Sequence, residues 1–334
     1  MGNVYVQTNE PENRVLAFRR EADGSLTTAG EQLTGGAGDG IPHLTSQGSV
    51  VLTGDVSRLL VTNAASGDVS AFSVGMDGLE LVQTVPTGAA PKSVAEHDGL
   101  VYVLNTGEPS LTGFRLGESG LEPLAGSRRE LAAGADPAQA GFSPDGSLLV
   151  VTDRGNDAVV LYPVGRDGLL GEAHVQPSSG PTPYGFAFAG RTLVVTEAFR
   201  AESGKAAASS YRVNGGAPAP VTRSVGNGRS EICWAVTTPD GRYAFTTNFA
   251  DGAISRYAIA ADGSIVLEDA VAGVAVEGRK GLRDEGLSGD GRFLYAIDAD
   301  SGRIFGWQVG DGGSLSPVGS WEGLPPTVAG LAAS

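Results

Sequence analysis

One pattern recurs seven times along the 334 residues and limits the possible folds more than any other feature of the chain. An apolar-alternating segment ends in Asn, Asp or Glu, a second segment ends in an aromatic ring, and a turn dipeptide follows. The first landmark falls at Asn9, Asn63, Asn105, Asp153, Glu197, Asn248 and Asp298, with intervals of 54, 42, 48, 44, 51 and 50 residues. The second is Phe18, Phe72, Phe114, Tyr162, Tyr211, Tyr257 and Trp307, and it lies 9 residues after the first in six units and 14 in the fifth. Asp23-Gly24, Asp77-Gly78, Ser119-Gly120, Asp167-Gly168, Asp262-Gly263 and Gly312-Gly313 come next, with Asn214-Gly215-Gly216 in unit five. Such dipeptides between alternating strands signal hairpins, because Gly accepts the positive φ of a tight turn. An earlier hairpin in each unit, as in Pro144-Asp145-Gly146, Pro239-Asp240-Gly241 and Gly289-Asp290-Gly291, makes four strands, A to D.

Four strands in 42 to 54 residues is the size of a β-propeller blade. From Asp298 through the C-terminus and on from Met1 to Asn9 is 45 residues, inside the observed range, so the repeat closes on itself. The chain is therefore expected to be all-β: a seven-bladed β-propeller over residues 1–334, a single domain. Residues 327–332 and 4–6 should supply strands A and B of one blade and so zip the ring shut.

Composition agrees and removes other classes. The 51 Gly and 18 Pro are spread evenly, which suits short strands and tight turns and excludes a helical bundle. A net charge of −15 repels phosphate backbones, so no nucleic-acid partner is expected. No apolar run reaches the ~18 residues of a membrane span. Cys233 is alone and cannot form an internal disulfide. The opening Met1-Gly2-Asn3-Val4-Tyr5-Val6 enters a strand pattern with no targeting signature, making the cytoplasm the expected location. Closure of all sheet edges predicts a monomer.

Propeller geometry turns the landmarks into a site. Strand A lines the central channel and B runs back beside it, so A-strand starts and B-strand ends share one face with the D-to-A and B-to-C loops. A strands are expected to start around His43, Lys92, Gln139, Tyr184, Trp234, Asp284 and Thr327. This mouth should carry His43, Lys92, Asp153, Glu197, Asn248, Asp284 and Asp298, with Arg229, Glu231 and Arg283 in adjoining loops. Asn and Asp at strand ends also close Asx turns on their own backbone, which is the ordinary reading of the series. Glu197 is a poorer turn former and stands out. Unit five also has five extra residues, within 198–208, and they begin beside Glu197 and bring Phe199 to the same edge. Of the other histidines, His97 falls in an A-to-B hairpin and His174 in a D strand. Cys233, inside a strand, reads as a buried structural thiol.

The candidate catalytic residues are Glu197 as general base and His43 or Lys92 as the group that polarises a carbonyl or donates a proton. Asp153, Tyr184, Phe199, Arg229, Trp234, Asn248 and Asp298 are the candidate substrate-binding residues. There is no nucleophile elbow, phosphate-binding loop, zinc helix motif or paired C-x-x-C. No cofactor or metal is expected, although Glu197, Asn248, Asp153 and Asp298 are hard oxygen donors of the kind that suit Ca²⁺ or Mg²⁺.

Strings such as Leu60-Val61-Thr62-Asn63-Ala64, Phe142-Ser143-Pro144-Asp145-Gly146 and Tyr243-Ala244-Phe245-Thr246-Thr247-Asn248 resemble the seven-bladed lactonase family, which includes 6-phosphogluconolactonase and the carboxymuconate cycloisomerases. The resemblance covers the whole chain. It implies a mouth with a His early in one A strand, an Arg in a P-R-H segment, a Glu in an N-E segment and an Arg in an N-R or D-R segment one blade later. Thr196-Glu197 keeps the Glu; Ala138-Gln139, Pro183-Tyr184-Gly185 and Asn248-Phe249 stand where the other three would be. The reading that results is a lactone hydrolase or cycloisomerase acting on a small, less anionic lactone or unsaturated acid. The alternative is a non-catalytic propeller that binds a small molecule or a partner segment at the same mouth.

Overall fold

Each unit folds into a four-stranded antiparallel sheet, and seven such sheets surround one axis in the computed structural model, which describes residues 2–42 and 44–334. Blade 2 is typical in its order, running from Val50–Leu52 on the axis through Arg58–Asn63 and Asp68–Gly75 to Gly78–Pro86 at the rim. Blade 3 splits its outer strand into Gly120–Pro123 and Arg129–Glu130, both paired with Ser110–Gly117. Among the described residues the only helical turns are the 3₁₀ segments Phe199–Ala201 and Asp311–Gly313.

Burial explains why B strands read as nearly continuous apolar runs. A blade is covered on both faces by its neighbours, so all six residues of Leu148–Asp153 are buried, whereas the rim strand Gly78–Pro86 alternates exposed and covered positions. The landmark aromatics fill the wedges between blades: Phe114, for example, packs with Leu60, Val69, Val94 and Val101 where blades 2 and 3 meet. Phe18, Phe72, Tyr162, Tyr211, Tyr257 and Trp307 are likewise buried. Truncating one of them to Ala would cost about 3–5 kcal/mol.

The C-terminal strand Ala329–Ala333 pairs antiparallel with Gly2–Gln7, Tyr5 facing Ala332 and Val6 facing Leu331. It begins two residues later than Thr327. Arg20 Nε donates to the Ser334 carbonyl at 3.1 Å, and the Asn3 amide donates to Ser334 Oγ at 2.9 Å. In blade 1 the B strand ends at Gln7, and Asn9 lies in the turn beyond it at φ 52°, so this landmark does not occupy the structural position its counterparts hold.

Blade 2 departs from the repeat on the axis. Its A strand has only three residues, and the segment before it crosses the channel. Gln47 N donates to the Ala138 carbonyl at 3.2 Å, Ser46 Oγ to the Lys92 carbonyl at 2.5 Å, and Trp234 Nε1 to the Ser46 carbonyl at 3.0 Å. The Gln47 amide makes two bonds to the backbone of Ala235, at 2.9 and 3.1 Å. One loop thus ties blades 3, 4 and 6 together and floors the mouth.

Candidate functional site

Six of the seven A strands open with a break in their register against strand B: between Pro91 and Ser93, Pro137 and Gln139, Pro183 and Phe186, Ile232 and Ala235, Leu282 and Glu285, and Leu331 and Ala329. A bulge re-aims a side chain that regular pleating would send elsewhere. Lys92, Ala138, Tyr184, Cys233, Arg283 and Gly330 fall within these breaks.

Tyr184, Cys233, Trp234, Ala138 and Ala198 form one buried cluster, with Phe249 packed against it. The Tyr184 and Trp234 rings meet edge to face at 5.7 Å. Two guanidiniums border the cluster. That of Arg154 lies 5.0 Å from the centre of the Tyr184 ring and is held by Asp136 Oδ1 at 2.6 Å. That of Arg283 lies 5.4 Å from the Phe249 ring centre and is 1% exposed; its Nε and Nη1 have no hydrogen-bond partner among the described residues. The Tyr184 hydroxyl, also buried, has none either.

The electrostatics link these groups. Burial pushes the Cys233 thiol far up, Glu231 adds to the rise, and Arg154 and Arg283 oppose it. Burial raises the Tyr184 phenol as well, which keeps it a neutral donor. Burial lowers Arg283, and neighbouring Asp284 partly restores it. Glu231 is half-buried in the loop before Ile232–Thr237. Burial lifts its carboxyl above the ordinary value, with Lys280 pulling the other way.

The B-strand ends are hydrogen-bonded within their own surroundings. Glu197 is fully buried and its carboxylate accepts from Gly180 N at 2.9 Å, Ser209 Oγ at 2.5 Å and Ser224 Oγ at 2.7 Å, all from blade 5 and the loop leading into it. Burial raises its pKa, and the two serines resist the rise. Asn248 is bonded to Ser255, Ala253 and Asn227 in the same manner. Asp153 accepts from the amides of Asp136, Gly155 and Asn156, and Asp298 accepts from Ser301 N. The physical cause is alternation: the last B residue turns into its own blade, and the next one, Arg154 or Phe249, turns toward the axis.

The remaining candidates are spread around the mouth. Lys92 Nζ is 3.9 Å from Asp39 Oδ2. Phe199, in the insertion, has φ 49° and packs near Gly180; the neighbouring Arg200 bonds Asp157 at 2.5 Å. Arg229 anchors the insertion through its backbone, its carbonyl accepting from Ala206 N at 3.0 Å. Trp234 is buried and anchors the floor loop, its Nε1 donating to the Ser46 carbonyl. His43 lies outside the described residues. Arg154 was not among the candidates, yet Asp153-Arg154 is a D-R pair. The resemblance points one blade beyond Glu197, whereas this pair sits one blade before it.

Fold and site together define a seven-bladed propeller with a charged, aromatic-walled mouth closed from below. The family model described as lactonase, 7-bladed beta-propeller matches residues 2–197 and 190–327, and the chain belongs to that family. A search of curated sequences returns no match. Among solved structures, one from Bacteroides fragilis assigned as a 6-phosphogluconolactonase superposes with a TM-score of 0.77 at 18% identity, covering 99% of this chain and 97% of that one. A second so assigned, from Bacteroides uniformis, gives 0.75 at 19% identity over 98% of each chain. The periplasmic gluconolactonase of Pseudomonas aeruginosa gives 0.72 at 19% identity over 98% of each. At these identities the likeness is one of fold.

Proposed function

We propose that the protein is a lactone hydrolase whose mouth uses Arg283, Arg154 and Tyr184 to hold and polarise the lactone and Glu231 to activate water. Family membership supports the reaction class. The observation that carries the residue assignment is the buried guanidinium of Arg283, two of whose nitrogens lack an acceptor among the described residues. Burying such donors unpaired is costly, and a carbonyl oxygen gathering negative charge is the group that completes them. Glu231 takes the proton from water as its oxygen bonds to the carbonyl carbon. The tetrahedral intermediate then expels the ring oxygen, to which Glu231 returns that proton so that it leaves as an alcohol, and a hydroxy acid is released.

The expectation of a less anionic substrate rested on the loss of the family's two arginines. Two guanidiniums nevertheless border this mouth, from other positions, and they fit an acidic lactone. Turnover of neutral and acidic lactones by wild type and Arg283→Leu tests the reading: the variant should lose at least ~10²-fold in kcat/KM, the scale of an oxyanion donor. Unchanged turnover in a folded variant would refute it.

A further inference from the structure

Below the floor lies a chamber of about 350 Å³ that the proposed reaction does not use. Gln47 roofs it, and the later halves of five A strands wall it, with Val94, Ala140 and Leu331 among the lining residues. It reaches the face of the A-to-B hairpins, where half-buried Leu52 and Phe142 border it.

Its charge is one-sided. Asp284, Glu285 and Glu96 line it, and no Lys or Arg does. Adjacent residues of a regular strand point to opposite faces, but the break in register between Leu282 and Glu285 lets Asp284 and Glu285 share this wall. Glu285 is 5% exposed, and neither of its carboxylate oxygens has a hydrogen-bond partner among the described residues. Asp284 is 3% exposed, and its Oδ2 has none. Neither nearby amide donates to Glu285: Gln139 is bonded to Phe186, donating at 3.2 Å and accepting at 2.7 Å, and Gln47 to Ala235. Glu96 already accepts from Gly99 N at 2.8 Å and Gly54 N at 3.2 Å, so it adds charge at the rim without offering a spare oxygen pair.

We infer that this chamber is a divalent-cation site of the calcium class, in which Glu285 supplies both carboxylate oxygens and Asp284 supplies Oδ2. Among the described residues the donor set is all oxygen, with no histidine or sulfur, which selects a hard cation over zinc or copper. The volume leaves room for the several waters that would complete six to eight ligands, an arrangement Ca²⁺ tolerates and Mg²⁺ resists. A protein of net charge −15 concentrates cations around it.

The test uses full-length protein stripped with EDTA and titrated with CaCl₂, followed by calorimetry and thermal melting, with Tb³⁺ luminescence as an independent probe. One equivalent of Ca²⁺ should bind, displace Tb³⁺ and raise the melting midpoint by about 3 °C near saturation. Glu285→Gln, nearly isosteric, should weaken binding at least ~10-fold, and Glu96→Gln less than ~3-fold. A midpoint indifferent to Ca²⁺ in wild type would mean a protonated acid pair and overturn the inference, and the wild-type titration needs no variant to fold. Equal binding by Glu285→Gln would also overturn it, because the ion would then sit elsewhere.

Discussion

The guanidinium of Arg154 lies 5.0 Å from the Tyr184 ring centre across the boundary between blades 4 and 5. Asp136 fixes its far side, so the arginine is oriented by an aromatic face and a carboxylate together. A desolvated contact of this kind contributes about 1–2 kcal/mol, and here it also aims a cation at the mouth. Arg283 repeats the device on Phe249.

Arg283→Lys separates charge from geometry. Lysine keeps the cation and loses the planar fork, so kcat/KM should fall by about 10²-fold, and Arg154→Met by about 10-fold, mostly through KM. Circular dichroism would establish that both remain folded. Full activity in Arg283→Lys would mean that only a point charge is needed.

Glu231→Gln should lower kcat by ~10²-fold or more. The base acts as the carboxylate, so the activity of wild type should rise with pH through the pKa of Glu231. Burial places that step above the usual 4.5. In the variant this acidic limb should vanish from the pH–rate profile; a limb that persists would assign it to another group.

Glu197 makes the opposite prediction. With three donors converging on a fully buried carboxylate, Glu197→Ala should destabilise the fold by about 2–4 kcal/mol in denaturant titration. Turnover per folded molecule should stay within about threefold. A large loss of kcat at unchanged stability would restore Glu197 as the base.

In chelated buffer, Asp284 should make stability fall as pH rises. Burial lifts it from 3.8 to about 7 in the fold. Between those values the folded protein keeps a proton that the unfolded chain has released, so folding weakens from about pH 4 to pH 7. The effect amounts to a few kcal/mol at most, at about 1.4 kcal/mol per unit. The melting midpoint should be higher at pH 5 than at pH 8, and the double change Asp284→Asn with Glu285→Gln should flatten the difference, because burial raises both carboxyls. A flat wild-type profile would contradict the raised value.

Deleting residues 329–334 should cause aggregation or a clear drop in melting midpoint. It removes the strand paired with Gly2–Gln7 and bares an inner edge. An unchanged, soluble truncation would show that the pairing contributes little.

The number of blades, their strand count and the wrap-around are legible in the residue order, because these follow from spacing, alternation and turn chemistry, which are local. It also brought Tyr184, Lys92, Glu231 and Arg283 to the mouth, since strand starts and loops have a known side. It did not reveal which way a side chain turns at a strand end. Asp153 and Glu197 hold the right positions but bond within their own surroundings, while Arg154, one residue on, borders the mouth cluster. One residue of pleat decides that. Nor could it show that residues 44–48 cross the axis or that a register break turns Asp284 and Glu285 into one chamber. Those facts depend on contacts between blades distant in the chain, such as the Ser46 carbonyl with Trp234, and only the closed ring brings them together.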